Sequence, residues 1–256
     1  MVEDEGAARV METLQSVIDW FGDPVNWSGS QGIPQRLLEH LLYSWVAVLL
    51  AAPVGVALGL YIGHARRFEF ITVTTANLGR ALPSFAILAL AFPIALRYDL
   101  GFSIWPTVVA LFFLAIPPIL TNTYVGVKEV DEDTVESARG MGLTGSQILL
   151  RVEMPLAAPL MVNGLRTATV QVVATATLAA LIAGGGLGRF IIDGFARQRD
   201  EMILGGALLV AGLAILTELF FALVQRMVTP PSDGGSRPIF KKPYRETGQI
   251  PRPEAL

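Results

Sequence analysis

The sequence predicts an all-α fold, a polytopic membrane helical bundle of about five transmembrane helices. Two observations carry this. Of the 256 residues, 52% are hydrophobic and only 16% are charged, where a soluble domain carries about a quarter. The apolar residues also gather into long runs. Leu41–Ile62 and Gly101–Val127 hold no charge, and Ile71–Leu96, Met154–Gly188 and Met202–Gln225 hold one each: Arg80, Arg166 and Glu218. Each run reaches the roughly 20 residues needed to cross the hydrocarbon core. One such run could be a buried helix of a soluble protein; a whole series in one chain argues for a bilayer.

Ahead of the first run, residues 1–35 read as an external segment. Val10, Leu14, Val17 and Ile18 lie on one face of a short amphipathic helix suited to a membrane surface. The start is acidic, with no basic region before an apolar core, and does not read as a cleavable signal peptide. "FGDPVNWSGSQGIPQ" then reads as a turn-rich loop, with Trp20 and Trp27 suited to the interface.

Residues 36–228 read as the transmembrane domain, and 229–256, rich in Pro and Gly, as a disordered cytoplasmic tail. With the N-terminus outside, segments 63–70, 128–153 and the chain after 225 hold eleven Lys and Arg, against six on the other side. Basic residues concentrate in cytoplasmic loops, which favours N-out and C-in. Pro53, Pro83, Pro93, Pro117 and Pro118 fall inside the runs and predict kinks. Gly55, Ala57 and Gly59 offer a small-residue face for close packing.

The interruption at 131–154 is polar and patterned. Thr134–Gly140 predicts two turns of helix, with Asp133 as N-cap and Glu136 at the third helical position. Gly142 suits a left-handed residue closing that helix. Thr144 and Gln147 have capping-box spacing for a second helix, and Pro155 suits the first turn of the next span. Val135, Ala138, Met141, Ile148 and Leu149 would offer a small apolar face. That face either enters a groove on another protein or packs back on its own bundle.

These residues resemble the EAA loop of permease subunits in ATP-binding cassette importers. That pattern is Glu-Ala-Ala, three residues, Gly, nine residues, then Ile-x-Leu-Pro. The chain has Glu136, Ser137, Ala138, then Gly142, then Val152-Glu153-Met154-Pro155, with identical spacing and conservative departures at Ser137, Val152 and Met154. "GRALPSFAILAL" (Gly79–Leu90), "PPILTNTYVGVKEVD" (Pro117–Asp131), "PLAAPLMVNGLRTATV" (Pro155–Val170) and "LIAGGGLGRFI" (Leu181–Ile191) resemble the glycine betaine/choline/carnitine osmoprotectant branch. The resemblance covers roughly 33–228, and methionine permeases share much of the layout. It implies that Glu136, Ser137, Ala138, Gly142, Thr144, Val152 and Pro155 form the ATPase-docking element. It implies ATPase subunits that carry ATP and Mg, an identical or related permease partner, and an external solute-binding protein, all in a prokaryotic plasma membrane.

The chain itself offers no nucleotide or metal chemistry. Its three lysines, Lys128, Lys241 and Lys242, make no P-loop. There is no cysteine, and His40 and His64 flank the first run, too few for a zinc site. The net charge of -3 does not suggest nucleic acid. The glycine run at 184–188 reads as a tight turn. No cofactor bound by this chain and no catalytic residue is expected. An ion-coupled secondary transporter is the alternative, and Glu218 would then be its coupling acid.

Arg80, Arg166 and Glu218 are the charges inside the runs. By helical rise, each lies roughly 13–17 Å from the cytoplasmic end of its span. A charge at that depth needs a partner or water. Glu218 should therefore pair with Arg166 or Arg80, and Arg166 is favoured because consecutive spans often pack together.

Overall fold

The structure, a computed structural model, describes residues 2–66, 70, 74, 83–100, 104–182 and 184–228. Arg80 and the tail 229–256 lie outside the described residues. The order is α1 (Val2–Gly22), a 3-10 turn (Pro24–Trp27), α2 (Ile33–Ala65), α3 (Ser84–Arg97), α4 (Trp105–Lys128), α5 (Glu132–Gly140), α6 (Gly145–Ile148), a π-helical turn (Leu149–Glu153), α7 (Met154–Thr175), a 3-10 segment (Ala176–Ile182), α8 (Gly188–Arg197) and α9 (Asp200–Val228).

Among the described residues, α2, α4, the continuous stretch Gly145–Ile182 and α9 are long and apolar enough to cross a membrane. In the second half of the run 71–96, α3 begins at Ser84, and Pro83 sits at its N-cap rather than inside it, where a missing N–H costs nothing. Pro53, Pro93, Pro117 and Pro118 do lie inside helices.

The core is where α2, α4 and α7 meet. Ala47 and Ala51 pack against Leu111, Ala115 and Ile119, and against Ala168 and Val172. Small residues let the backbones approach. A Cβ placed on Gly55 would lie 2.8 Å from Ile119 Cγ2, one on Gly59 2.6 Å from Thr123 Cβ, and one on Gly63 2.7 Å from Val127 Cβ. The small-residue row is thus Gly55, Gly59 and Gly63. Ala57, which the sequence grouped with them, faces outward, because i, i+4, i+8 spacing selects one helix face and i+2 does not.

α9 packs on α7 and α8, and α1 lies against α9. This splits the expected surface face of α1. Val10, Leu14 and Ile18 are exposed, but Val17 is buried. Trp20, expected at the interface, is also buried. Its ring stacks edge-on to Phe190 at 5.3 Å and covers Gly205, where a Cβ would clash with it at 2.5 Å. The missing side chain at Gly205 makes the slot, a feature of the distant helix and not of α1's own periodicity.

Candidate functional site

The segment 131–154 folds as a capped helical hairpin against one end of the bundle. Its first helix starts earlier than its local sequence suggests. Asp131, not Asp133, is the N-cap of α5, its carboxylate accepting from the Asp133 N–H at 3.2 Å. Val130 just before it is buried, so packing fixes where the chain leaves α4 and the cap follows. Glu136 therefore sits at the fifth helical position, exposed, and takes no part in the cap.

The helix closes with a Schellman turn. Gly142 has φ 90°. Its N–H donates to Arg139 O at 2.9 Å, and the Leu143 N–H donates to Ala138 O at 3.2 Å, the 5→2 and 6→1 pair of that motif. Leu143 also packs against the small cluster that contains Ala138, in keeping with the apolar contact that accompanies this motif. Thr144 then caps α6 through a capping box, its N–H held by Gln147 Oε1 at 2.8 Å.

The second arm is not a separate short helix. α6 runs through the π turn straight into α7, and Pro155 lies in the first turn of α7. A π turn makes i→i+5 bonds and so absorbs one extra residue without breaking the helix. The hairpin's second arm and the span are therefore one continuous body.

The expected apolar face mostly turns inward. Val135, Ala138 and Ile148 are buried with Val130 and pack against Leu143 and Val152 in a small core of their own. Leu149 is half-buried, whereas Met141 is 75% exposed. Asp133, Thr134, Ser137, Ala138, Met141 and Val152 line an open groove along α5. The outward surface is thus a polar helix face around one exposed methionine. The reason is size: a hairpin this short needs its β-branched and Leu side chains to hold its two arms together.

Two polar contacts fasten the hairpin to α2. His64 Nδ1–H donates to Glu153 Oε2 at 2.5 Å, and Glu153 is only 3% exposed. Arg66, the left-handed C-cap of α2, pairs with Glu132 at the start of α5. Neither pair was legible from the motif, where Glu153 occupies the unspecified position and His64 carries no pattern. The available signal was a lone acid two residues before a proline that opens an apolar run.

Midway along the spans, on a partly open face, Arg166 on α7 pairs with Glu218 on α9, and Arg166 Nη1 also donates to Gln225 at 2.9 Å. At this depth in the spans, a charge that loses its partner is costly wherever water does not reach it. Arg166→Gln and Glu218→Gln should each lower folded yield about fivefold, and the double variant should recover much of it. Quantifying monodisperse protein for all three checks this; simple addition of the two losses would rule the pairing out as a structural tie.

At the other end of the bundle, the 184–187 loop is held by α2. Gly186 N–H donates to Glu39 Oε2 at 2.8 Å and Gly185 N–H to Tyr43 Oη at 3.1 Å. His40 is fully buried, donating from Nε2 to Val173 O at 2.8 Å and accepting at Nδ1 from Leu187 N–H at 3.3 Å. The 184–187 stretch is therefore a clasped turn whose four N–H donors are already used. No group of three or more His, Asp or Glu able to hold a metal occurs among the described residues.

The bundle has the fold of ABC importer permeases. It superposes on the membrane chain of inward-facing MetNI methionine transporter structures with a TM-score of 0.67 and 21% identity, covering 75% of this chain and 94% of that one. A structure of an amino acid ABC transporter aligns with a TM-score of 0.56 and 16% identity, covering 86% and 95%. The chain belongs to the family of binding-protein-dependent transport system inner membrane components, whose model matches residues 41–230. It is 41% identical over 192 residues to the glycine betaine/carnitine/choline transport system permease protein OpuCB of Bacillus subtilis, covering 75% of this chain and 86% of that one. It is 40% identical to the choline transport system permease protein OpuBB of the same organism (76% and 88% covered) and 38% to the carnitine transport permease protein OpuCB of Listeria monocytogenes (75% and 86%).

Proposed function

We propose that the chain is the transmembrane subunit of an ATP-driven importer for osmoprotectants such as glycine betaine, choline or carnitine. The observation that carries it is the hairpin: a capped, self-packed element held outside the spans, fastened to α2 by His64–Glu153 and Arg66–Glu132 and continuous with α7. Such an element can receive a push from a docked protein and pass it to two spans at once. Glu136, Ser137 and Met141 form its outward face. Ala138 and Val152 line the groove behind it, Gly142 and Thr144 set its shape, and Pro155 opens the driven span.

ATP and Mg belong to the partner ATPases, which dock on the hairpins of two permease subunits, identical or related. The hairpin end is cytoplasmic, and the clasped 184–187 loop faces the external solute-binding protein. Residues 1–35 lie outside and 229–256 inside. The solute assignment is supported by the three relatives compared above, each named for one or more of these compounds.

The test is uptake of labelled glycine betaine, choline and carnitine by vesicles holding the chain with its ATPase and binding protein. Uptake should persist when proton and sodium gradients are collapsed and ATP is maintained, while the isolated chain hydrolyses no ATP. Loss of uptake under ionophores would transfer the energy source to an ion gradient and overturn the reading.

A further inference from the structure

Most of the surface that the spans turn outward is apolar. Between the terminal turns, the exposed positions of α2, α3, α4 and α9 are apolar or small, such as Leu42 and Leu49, Phe113, and Leu208, Ile215 and Leu219, with Tyr61 near the hairpin end the exception. The middle of α7 departs from this. Its open positions there are Thr167, Gln171 and Ala174, with half-buried Asn163 one turn below Thr167. Asn163, Thr167 and Gln171 follow i, i+4, i+8 spacing, so they stand in one row about 12 Å long.

Two of the three are satisfied within the chain. Asn163 Nδ2 donates to Asn122 Oδ1 at 3.1 Å, and Thr167 Oγ1 donates to Asn163 O at 3.0 Å. The Gln171 side-chain amide bonds to none of the described residues. Beside the row, the Arg166–Glu218 pair is also open, with 26% and 42% of the two side chains exposed. Hydrocarbon can satisfy neither an amide nor an ion pair. This face must therefore meet water.

We propose that the Asn163–Thr167–Gln171 face of α7 lines the aqueous path taken by a small zwitterionic or cationic solute. The inference rests on the import function proposed above. The row is neutral, offering amide and hydroxyl groups to a carboxylate or to the hydration shell of an ammonium group. Among the described residues the one cation beside it, Arg166, is neutralised by Glu218 and cannot trap a carboxylate. A path has to bind weakly enough to release, and an uncharged polar row meets that need. A second copy of the chain seated on this face would instead bury the Gln171 amide and an open ion pair together, which demands matched polar partners at each group.

The chain contains no cysteine, so a single introduced thiol reports alone. Thr167→Cys, Gln171→Cys and the lipid-face control Leu208→Cys would be placed in the assembled transporter in nanodiscs, with both faces accessible. The probe is a trimethylammonium methanethiosulfonate, itself a small quaternary cation. Only a hydrated thiol ionises to the reactive thiolate. Thr167→Cys and Gln171→Cys should therefore label about tenfold or more faster than Leu208→Cys, with uptake falling as labelling proceeds. Labelling no faster than the control at both positions overturns the proposal. So does oxidant-driven cross-linking of Gln171→Cys to its counterpart with no labelling, which assigns the face to a subunit contact. Labelling does not depend on the solute's identity. Fast labelling in a transporter that takes up none of the three compounds keeps the path and removes only the solute assignment.

Discussion

Gly142→Val should reduce uptake about tenfold or more while leaving insertion and expression intact. The cause is backbone conformation and not crowding. Gly142 has φ 90°, and a Cβ built on it meets nothing within 4 Å. A left-handed residue with a side chain is strained by about 1–2 kcal/mol, more for a β-branched one. The Schellman turn that fixes α5 against α6 must then relax, carrying the outward face with it. Gly142→Asn should be mild, because Asn tolerates that region, and Gly142→Ala intermediate. Gly140 is the control: it is helical, has open space around it and lacks a positive φ, so Gly140→Ala should transport normally. Solute-stimulated ATPase activity and uptake, measured together, separate uncoupling from loss of protein. Unchanged coupling in Gly142→Val would mean that the hairpin does not transmit force.

His64→Ala should be the most damaging change at the hairpin's base. It leaves the Glu153 carboxylate, 3% exposed, without its donor. Losing a hydrogen bond to a buried charge costs about 2–3 kcal/mol, enough to loosen an element this small. Proteolysis within 131–144 should accelerate and uptake should fall about fivefold. Glu153→Gln keeps a polar partner for His64 and should be milder. His64→Ala combined with Glu153→Leu removes the stranded charge and should recover hairpin protection relative to His64→Ala alone. Equal protease sensitivity in His64→Ala and the parent protein would show that the pair does not hold the hairpin.

The spans were legible in the sequence because hydrocarbon imposes one strong requirement, about 20 apolar residues in a row, and Leu41–Ile62 or Gly101–Val127 meet it with no charge. The chain reversal at Gly142 and the box at Thr144 were legible for a related reason. Schellman turns and capping boxes are closed by residues within a few positions of one another, so local spelling determines them. What the sequence left open depended on neighbours distant along the chain. Periodicity put Val135, Ala138 and Ile148 on a face but could not say that the face turns into the hairpin's own core. Trp20 has the amphipathic ring of an interfacial residue, and only the slot over Gly205 buries it. Glu153 and His64 are 89 residues apart, and no local rule joins them. Depth narrowed the Glu218 partner to two arginines and the packing of consecutive spans favoured Arg166, but only α9 packing on α7 brings that pair within reach. Solvent preference acts residue by residue and can be read along a chain; which buried groups satisfy one another is decided only when helices close to within side-chain reach.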